Sequence, residues 1–180
     1  IDFGEETYTA YTGTNPDFNT QLLRYGYTSP TTPNSILDYH MESREKVILK
    51  EQEVVGGYDK NSYTAKRIWA TSADGVKVPI SLVYKNDKLE KGGNPLLLYG
   101  YGSYGITVDA TFSSNRLSLL DRGFVFAIAH VRGGQYLGRN WYESGKLLQK
   151  KNTFTDFIDC AEFLIEKKYT SKKKIIAYGG

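Results

Sequence analysis

Polar and apolar positions alternate through the first third of the chain. The segments "TYTAYTG", "QLLRYGYTS", "SILDYHMES" and "EKVILKEQEV" each keep a period of two, and the turn formers "TNPDFN", "SPTTPN" and "SRE" separate them. The pattern predicts four short strands in one antiparallel meander. Such a sheet, taken alone, leaves both edges unpaired and one face uncovered. It therefore reads as a piece of something larger, such as one blade of a ring. No second copy of the pattern occurs, so no internal repeat is claimed.

After "VVGGYDKNSYTA" the pattern changes. "KRIWATSADGVKVPISLVYK" predicts a hairpin turning at Asp74-Gly75, a pair that readily adopts positive backbone angles. "PLLLYGYGSYG" is a short apolar strand running into glycines, and "SSNRLSLLDRG" has a serine cap and a glycine stop around a helix. "FVFAIAHV" is apolar on both faces, as a strand inside a parallel sheet should be. In "NTFTDFIDCAEFLIEKKY" one stripe carries Phe154, Phe157, Ile158, Ala161, Leu164 and Ile165, with Thr153 and Asp156 opening the helix. "KIIAY" is a last strand. Strand, helix, strand, helix, strand is an α/β sheet built in order, so the chain divides at residues 1–53 and 54–180.

Composition narrows the function classes. The net charge is +3, with Lys and Arg scattered except in "SKKKI" and "LLQKKN", which argues against a nucleic-acid partner. Those two runs are most simply solvated basic turns. No stretch of about 18 apolar residues is present, so nothing is predicted to span a membrane. A lone cysteine, Cys160, cannot form an internal bridge and fits a reducing, cytoplasmic setting. The first residue is not methionine, so a preceding targeting segment is left open.

Chemistry in open α/β sheets gathers at the carboxyl ends of the strands. Three such ends are present: "YGYGSYG", "HVRGGQYLG" and the terminal "YGG". Gly100, Gly102 and Gly105 have the spacing of a dinucleotide loop, but that motif needs a helix to open at once. The β-branched run "ITVDATF" follows instead, and Tyr101 and Tyr104 are bulky where a phosphate would approach. No cofactor and no metal are expected. Ser103 fails as an elbow nucleophile because Tyr101 stands where the first glycine belongs. "IIAYGG" fits better, as a strand entering a G-x-S-x-G elbow. His40 reads as a surface residue of the meander, and His130, at a strand end, as a structural or supporting one. Neither completes a triad, in which the elbow enzymes place histidine last.

The run from "LLLYGYGSYG" through "HVRGGQYLGRNWYESGKLLQKKNTFTDFIDCAEFLI" resembles the first half of the peptidase domain of the prolyl oligopeptidase family, most closely its oligopeptidase B branch. "LRYGYTSPTTPNSILDYHM" and "EVVGGYD" resemble that branch as well, so the likeness covers almost the whole chain. It implies an α/β-hydrolase domain for residues 54–180, preceded by the last blade region of a β-propeller in residues 1–53. The reaction implied is hydrolysis of short peptides after Arg or Lys through an acyl-enzyme. The residue after Gly180 would be the catalytic serine, with the acid and the histidine further on, so the 180 residues alone should be inactive. The resemblance makes Tyr101 the oxyanion-hole hydroxyl, Tyr104 the aromatic wall of the primary specificity pocket, and Asp109 an acid of the adjoining subsite. A second acid expected two residues on is Thr111 here, which weakens a preference for paired basic residues.

Other residues have plainer readings. Arg132 is either a substrate-binding group or an arginine that holds its own loop through carbonyl hydrogen bonds. Trp69 and Trp141 read as packing groups, and Cys160 as a small core residue near the edge of its helix stripe. Partners follow from the same picture: peptides with basic residues, the remaining half of the peptidase domain and the rest of the propeller. An exposed "KIIAY" edge would also favour self-association. Two rival readings are a non-catalytic interaction module and a dinucleotide-dependent oxidoreductase.

Overall fold

The computed structural model describes residues 1–180 as two sheets. The first is the antiparallel meander β1 (Thr9–Thr12), β2 (Leu22–Thr28), β3 (Ser35–His40) and β4 (Lys46–Glu51), in that order. Its buried apolar core is only Tyr25, Tyr27 and Leu37. Polar pairing supplements it. Arg24 and Asp38, directly opposite on β2 and β3, form a two-pronged ion pair at 2.8 Å. All six residues of β4 are exposed, so this edge has no covering layer.

The second sheet holds β5 (Tyr63–Thr71), β6 (Lys77–Lys85), β7 (Leu96–Tyr99), β8 (Val125–Ala129) and β9 (Ile175–Tyr178). Its order is β5-β6-β8-β7-β9, antiparallel from β5 to β8 and parallel from β8 through β7 to β9. The expected hairpin is present, with Gly75 at a φ of 83° in its turn. Ile80, Leu82, Leu96, Leu98, Val125 and Leu164 are fully buried in one dry cluster. Burial of each such side chain stabilises the fold by roughly 1.5–3 kcal/mol before conformational entropy is counted.

Three helices lie beside this sheet: α1 (Ser114–Asp121), α2 (Arg139–Glu143) and α3 (Lys151–Glu166). Gly123, at a φ of 88°, follows the end of α1 as its stop, while the Ser113 side chain makes no cap bond. Helix α2 has no clear periodic signal in the sequence. It buries Trp141, whose indole donates to the His130 carbonyl at 2.9 Å.

Helix α3 is rotated from the expected stripe. The buried positions are Thr153, Asp156, Cys160 and Leu164, whereas Phe154 and Ile158 are 61% and 55% exposed. The helix begins two residues before Thr153, so Thr153 is not its cap. The cause is polar. Asp156 turns inward to meet Arg132 at 2.6 Å, and the Thr153 hydroxyl donates to the Arg132 carbonyl at 2.7 Å. Cys160 therefore sits in the core rather than at its edge, and burial pushes its thiol up. Trp69, expected to pack, is 43% exposed on the edge strand β5.

Residues 5–7 tie the two sheets together. The Glu5 carboxylate accepts hydrogen bonds from Tyr27, Ser29, Thr31 and Thr32. Burial alone would raise its pKa, but the four hydroxyl donors outweigh this and hold it below the usual range. Next in the chain, Glu6 accepts from the Arg67 amide at 3.0 Å, and the Thr7 hydroxyl meets that of Ser81 at 2.7 Å.

Candidate active site

Parallel pairing of β7 with β9 places Tyr99 opposite Tyr178, so the two strands end side by side. The Gly100 amide donates to the Tyr178 carbonyl at 3.1 Å. A Cβ on Gly179 would lie 2.3 Å from the Gly100 oxygen, so only glycine allows this approach. Tyr101 thus leaves the sheet directly beside Gly179 and Gly180. Together they line a cleft of about 470 Å³ with Phe154, Phe157, Ile158 and Lys150.

Beyond Tyr101 the chain makes a tight turn. The Ile106 amide donates to the Ser103 carbonyl at 3.0 Å, and both central residues, Tyr104 and Gly105, have positive φ, 56° and 67°. Positive φ strains a tyrosine, and here the residue is also 84% exposed. It borders a neighbouring hollow of about 210 Å³ together with Tyr142, Leu147 and Lys150. Asp109 stands apart from both cavities. Partial removal of water raises its carboxyl above the usual range.

Arg132 lies beneath this surface, 4% exposed. Its Nε and Nη2 grip Asp156 at 2.9 and 2.6 Å, and its Nη1 reaches Asp74 at 2.6 Å. The hydrogen bond to Asp156 raises the guanidinium further, and the same arginine lowers Asp74. Arg132 does not line the cleft. Of its two sequence readings, the geometry favours the loop-holding one, with carboxylates rather than carbonyls as the anchors.

His130 accompanies it in the interior. Its Nε2 lies 2.8 Å from the Ser81 hydroxyl, yet both residues are buried, the histidine stacks on Tyr136 at 3.6 Å, and its Nδ1 has no partner. Burial, with Arg67 nearby, pushes His130 down to about 3, so it is neutral at ordinary pH. A serine–histidine contact sealed from solvent and lacking an orienting acid is a packing contact, not a nucleophile and base. His40 accepts from the Ser43 amide at 3.1 Å within the meander.

Sequence reasoning missed two contributors. Lys150, read as part of a solvated basic turn, points into the cleft and bonds to the Tyr101 loop. Asp156 was read as a helix-opening residue. An acid within the apolar run of α3 was the available signal, because a charge on a buried face needs a partner.

Residues 110–180 match the prolyl oligopeptidase family. Beyond those residues the likeness to members of that family runs along almost the whole chain. Among curated relatives, it is 46% identical over 177 residues to dipeptidyl aminopeptidase BI of Pseudoxanthomonas mexicana, covering 98% of this chain and 24% of that one. It is 43% identical over 180 residues to Protease 2 of Moraxella lacunata, covering 100% of this chain and 26% of the relative. Among solved structures, oligopeptidase B from Trypanosoma brucei with covalently bound antipain superposes with a TM-score of 0.89 at 45% identity, over 99% of this chain and 26% of that one. Oligopeptidase B from Leishmania major gives 0.86 at 41% identity, over 97% and 25%. The chain thus spans about a quarter of the length of the relatives it matches.

Proposed function

We propose that these residues supply the oxyanion side of a serine oligopeptidase, and that the full-length protein hydrolyses short peptides after Arg or Lys. The observation that carries this reading is the emergence of Tyr101 beside Gly179 and Gly180 at the ends of β7 and β9. The strand order β5-β6-β8-β7-β9, with its parallel half ending at the cleft, supports reading residues 54–180 as the first half of an α/β-hydrolase domain. The meander of residues 1–53, with its edge strand β4 uncovered, fits the closing blade of a propeller.

In this reading the nucleophilic serine follows Gly180 on a sharp strand-to-helix turn, and the acid and histidine come later in the chain. The serine attacks the scissile carbonyl and an acyl-enzyme forms, which water then hydrolyses. The Tyr101 phenol donates to the developing oxyanion together with the backbone N–H after the serine. One such donor is worth about 3 kcal/mol of barrier. Tyr104 offers its exposed face to the substrate side chain, and Asp109 offers charge to a basic one. Arg132 acts as a positioning residue beneath them. Phe154, Ile158 and the β9 residues Ile176 and Tyr178, all exposed, would contact the remainder of the longer protein or, failing that, a second copy.

Purified full-length protein should cleave an arginyl dipeptide reporter and be labelled by a serine-directed phosphonate; the 180-residue chain should do neither. Labelling or cleavage by the short chain would overturn the assignment of the nucleophile. A full-length protein that neither cleaves nor labels would overturn the peptidase reading.

A further inference from the structure

Lys150 stands where the two cavities meet. Its ammonium donates to the Gly102 carbonyl and, at 2.8 Å, to the Ser103 hydroxyl, the two residues after Tyr101. Both acceptors are neutral, and burial lowers the lysine below its usual range. A lysine held among neutral oxygens at some cost in hydration points to a local purpose. The neighbouring Thr153 hydroxyl cannot replace it: it lies 3.4 Å from the Gly102 oxygen, and its one proton is better placed on the Arg132 carbonyl at 2.7 Å. Lys150 has three protons and serves two acceptors at once. It also immediately precedes α3, whose buried face is anchored through Asp156, so the ammonium is carried on a fixed element.

We propose that Lys150 is a positioning residue for Tyr101, pinning the Gly102 carbonyl and Ser103 hydroxyl so that the phenol is held at the strand-end cleft. The inference rests on the peptidase reading given above. Misplacing a reacting or stabilising group by about 1 Å can cost 10²-fold in rate. In the full-length protein Lys150→Met should therefore lower kcat about 10- to 100-fold and leave KM within about threefold. Lys150→Arg, which keeps donors and charge, should recover part of the loss.

The decisive readout is a double-mutant cycle with Tyr101→Phe. If Lys150 acts through the phenol, Lys150→Met adds nothing to the Tyr101→Phe enzyme, whereas a merely structural lysine lowers both backgrounds equally. Should Lys150→Met fail to fold, Ser103→Ala removes one of the two contacts and should lower kcat in the wild-type background only. An active wild type with Lys150→Met at full kcat, or with losses that multiply across the cycle, overturns this inference and leaves the peptidase reading intact. A wild type without cleavage or phosphonate labelling overturns both.

Discussion

The loops after β7 and β8 leave neighbouring parallel strands, and both are rich in glycine. They use their residues in opposite ways. After β7, Tyr104 turns outward at positive φ and Tyr101 borders the cleft. After β8, His130 and Arg132 turn inward, each 4% exposed. Under the proposed function, one loop presents chemistry and the other supports it. The difference comes from partners elsewhere in the chain: Asp156 and Asp74 draw Arg132 in, whereas no carboxylate meets the first loop, which is held by the Lys150 ammonium, a long contact from the Thr153 hydroxyl and backbone hydrogen bonds.

If the second loop is structural, breaking it should cost stability. Asp156→Asn leaves Arg132 buried without its main counter-charge and should lower stability by about 3–5 kcal/mol, read from denaturant midpoints of the full-length protein. The double change Arg132→Met with Asp156→Leu should recover much of that loss, because two apolar side chains need no charge partner. Gly133→Ala should cost about 2 kcal/mol or more by the same measurement. Gly133 has a φ of 95°, and a Cβ there would meet the Gly102 oxygen at 2.2 Å.

The pH response of the second loop follows from His130. Its folded value, about 3, lies below the ordinary 6.5, so the unfolded chain binds the proton more readily. The stabilisation is complete above the unfolded value and is lost as pH falls through it toward the folded one. Between pH 7 and pH 5 the wild type should lose about 2 kcal/mol, and His130→Asn should be nearly flat over that interval. The smallest effect has the opposite sign and belongs to the first loop. Tyr104→Gly relieves positive φ and should raise stability by about 1 kcal/mol while weakening the binding of an arginyl substrate.

Much of this contrast was hidden in the sequence. The meander, the Asp74-Gly75 hairpin and the apolar strands were legible because alternation and turn residues are local signals. The burial of Trp141 and Cys160 was legible too, but the same reasoning failed for Trp69, which the edge position of β5 leaves 43% exposed. The face of α3 was not. Six apolar residues defined a stripe, but the Arg132–Asp156 pair outweighed it and left Phe154 and Ile158 outside. Lys150 was not legible either, because a lone lysine in a basic run carries no positional signal until the fold sets the Gly102 carbonyl opposite it.

The central claim is that the loop after β7 delivers a phenol to a developing oxyanion. Tyr101→Phe in the full-length protein tests it most directly, by steady-state hydrolysis of an arginyl reporter alongside a denaturant midpoint. The account predicts a fall in kcat of about 100-fold with unchanged stability. A variant that turns over at the wild-type rate would contradict it.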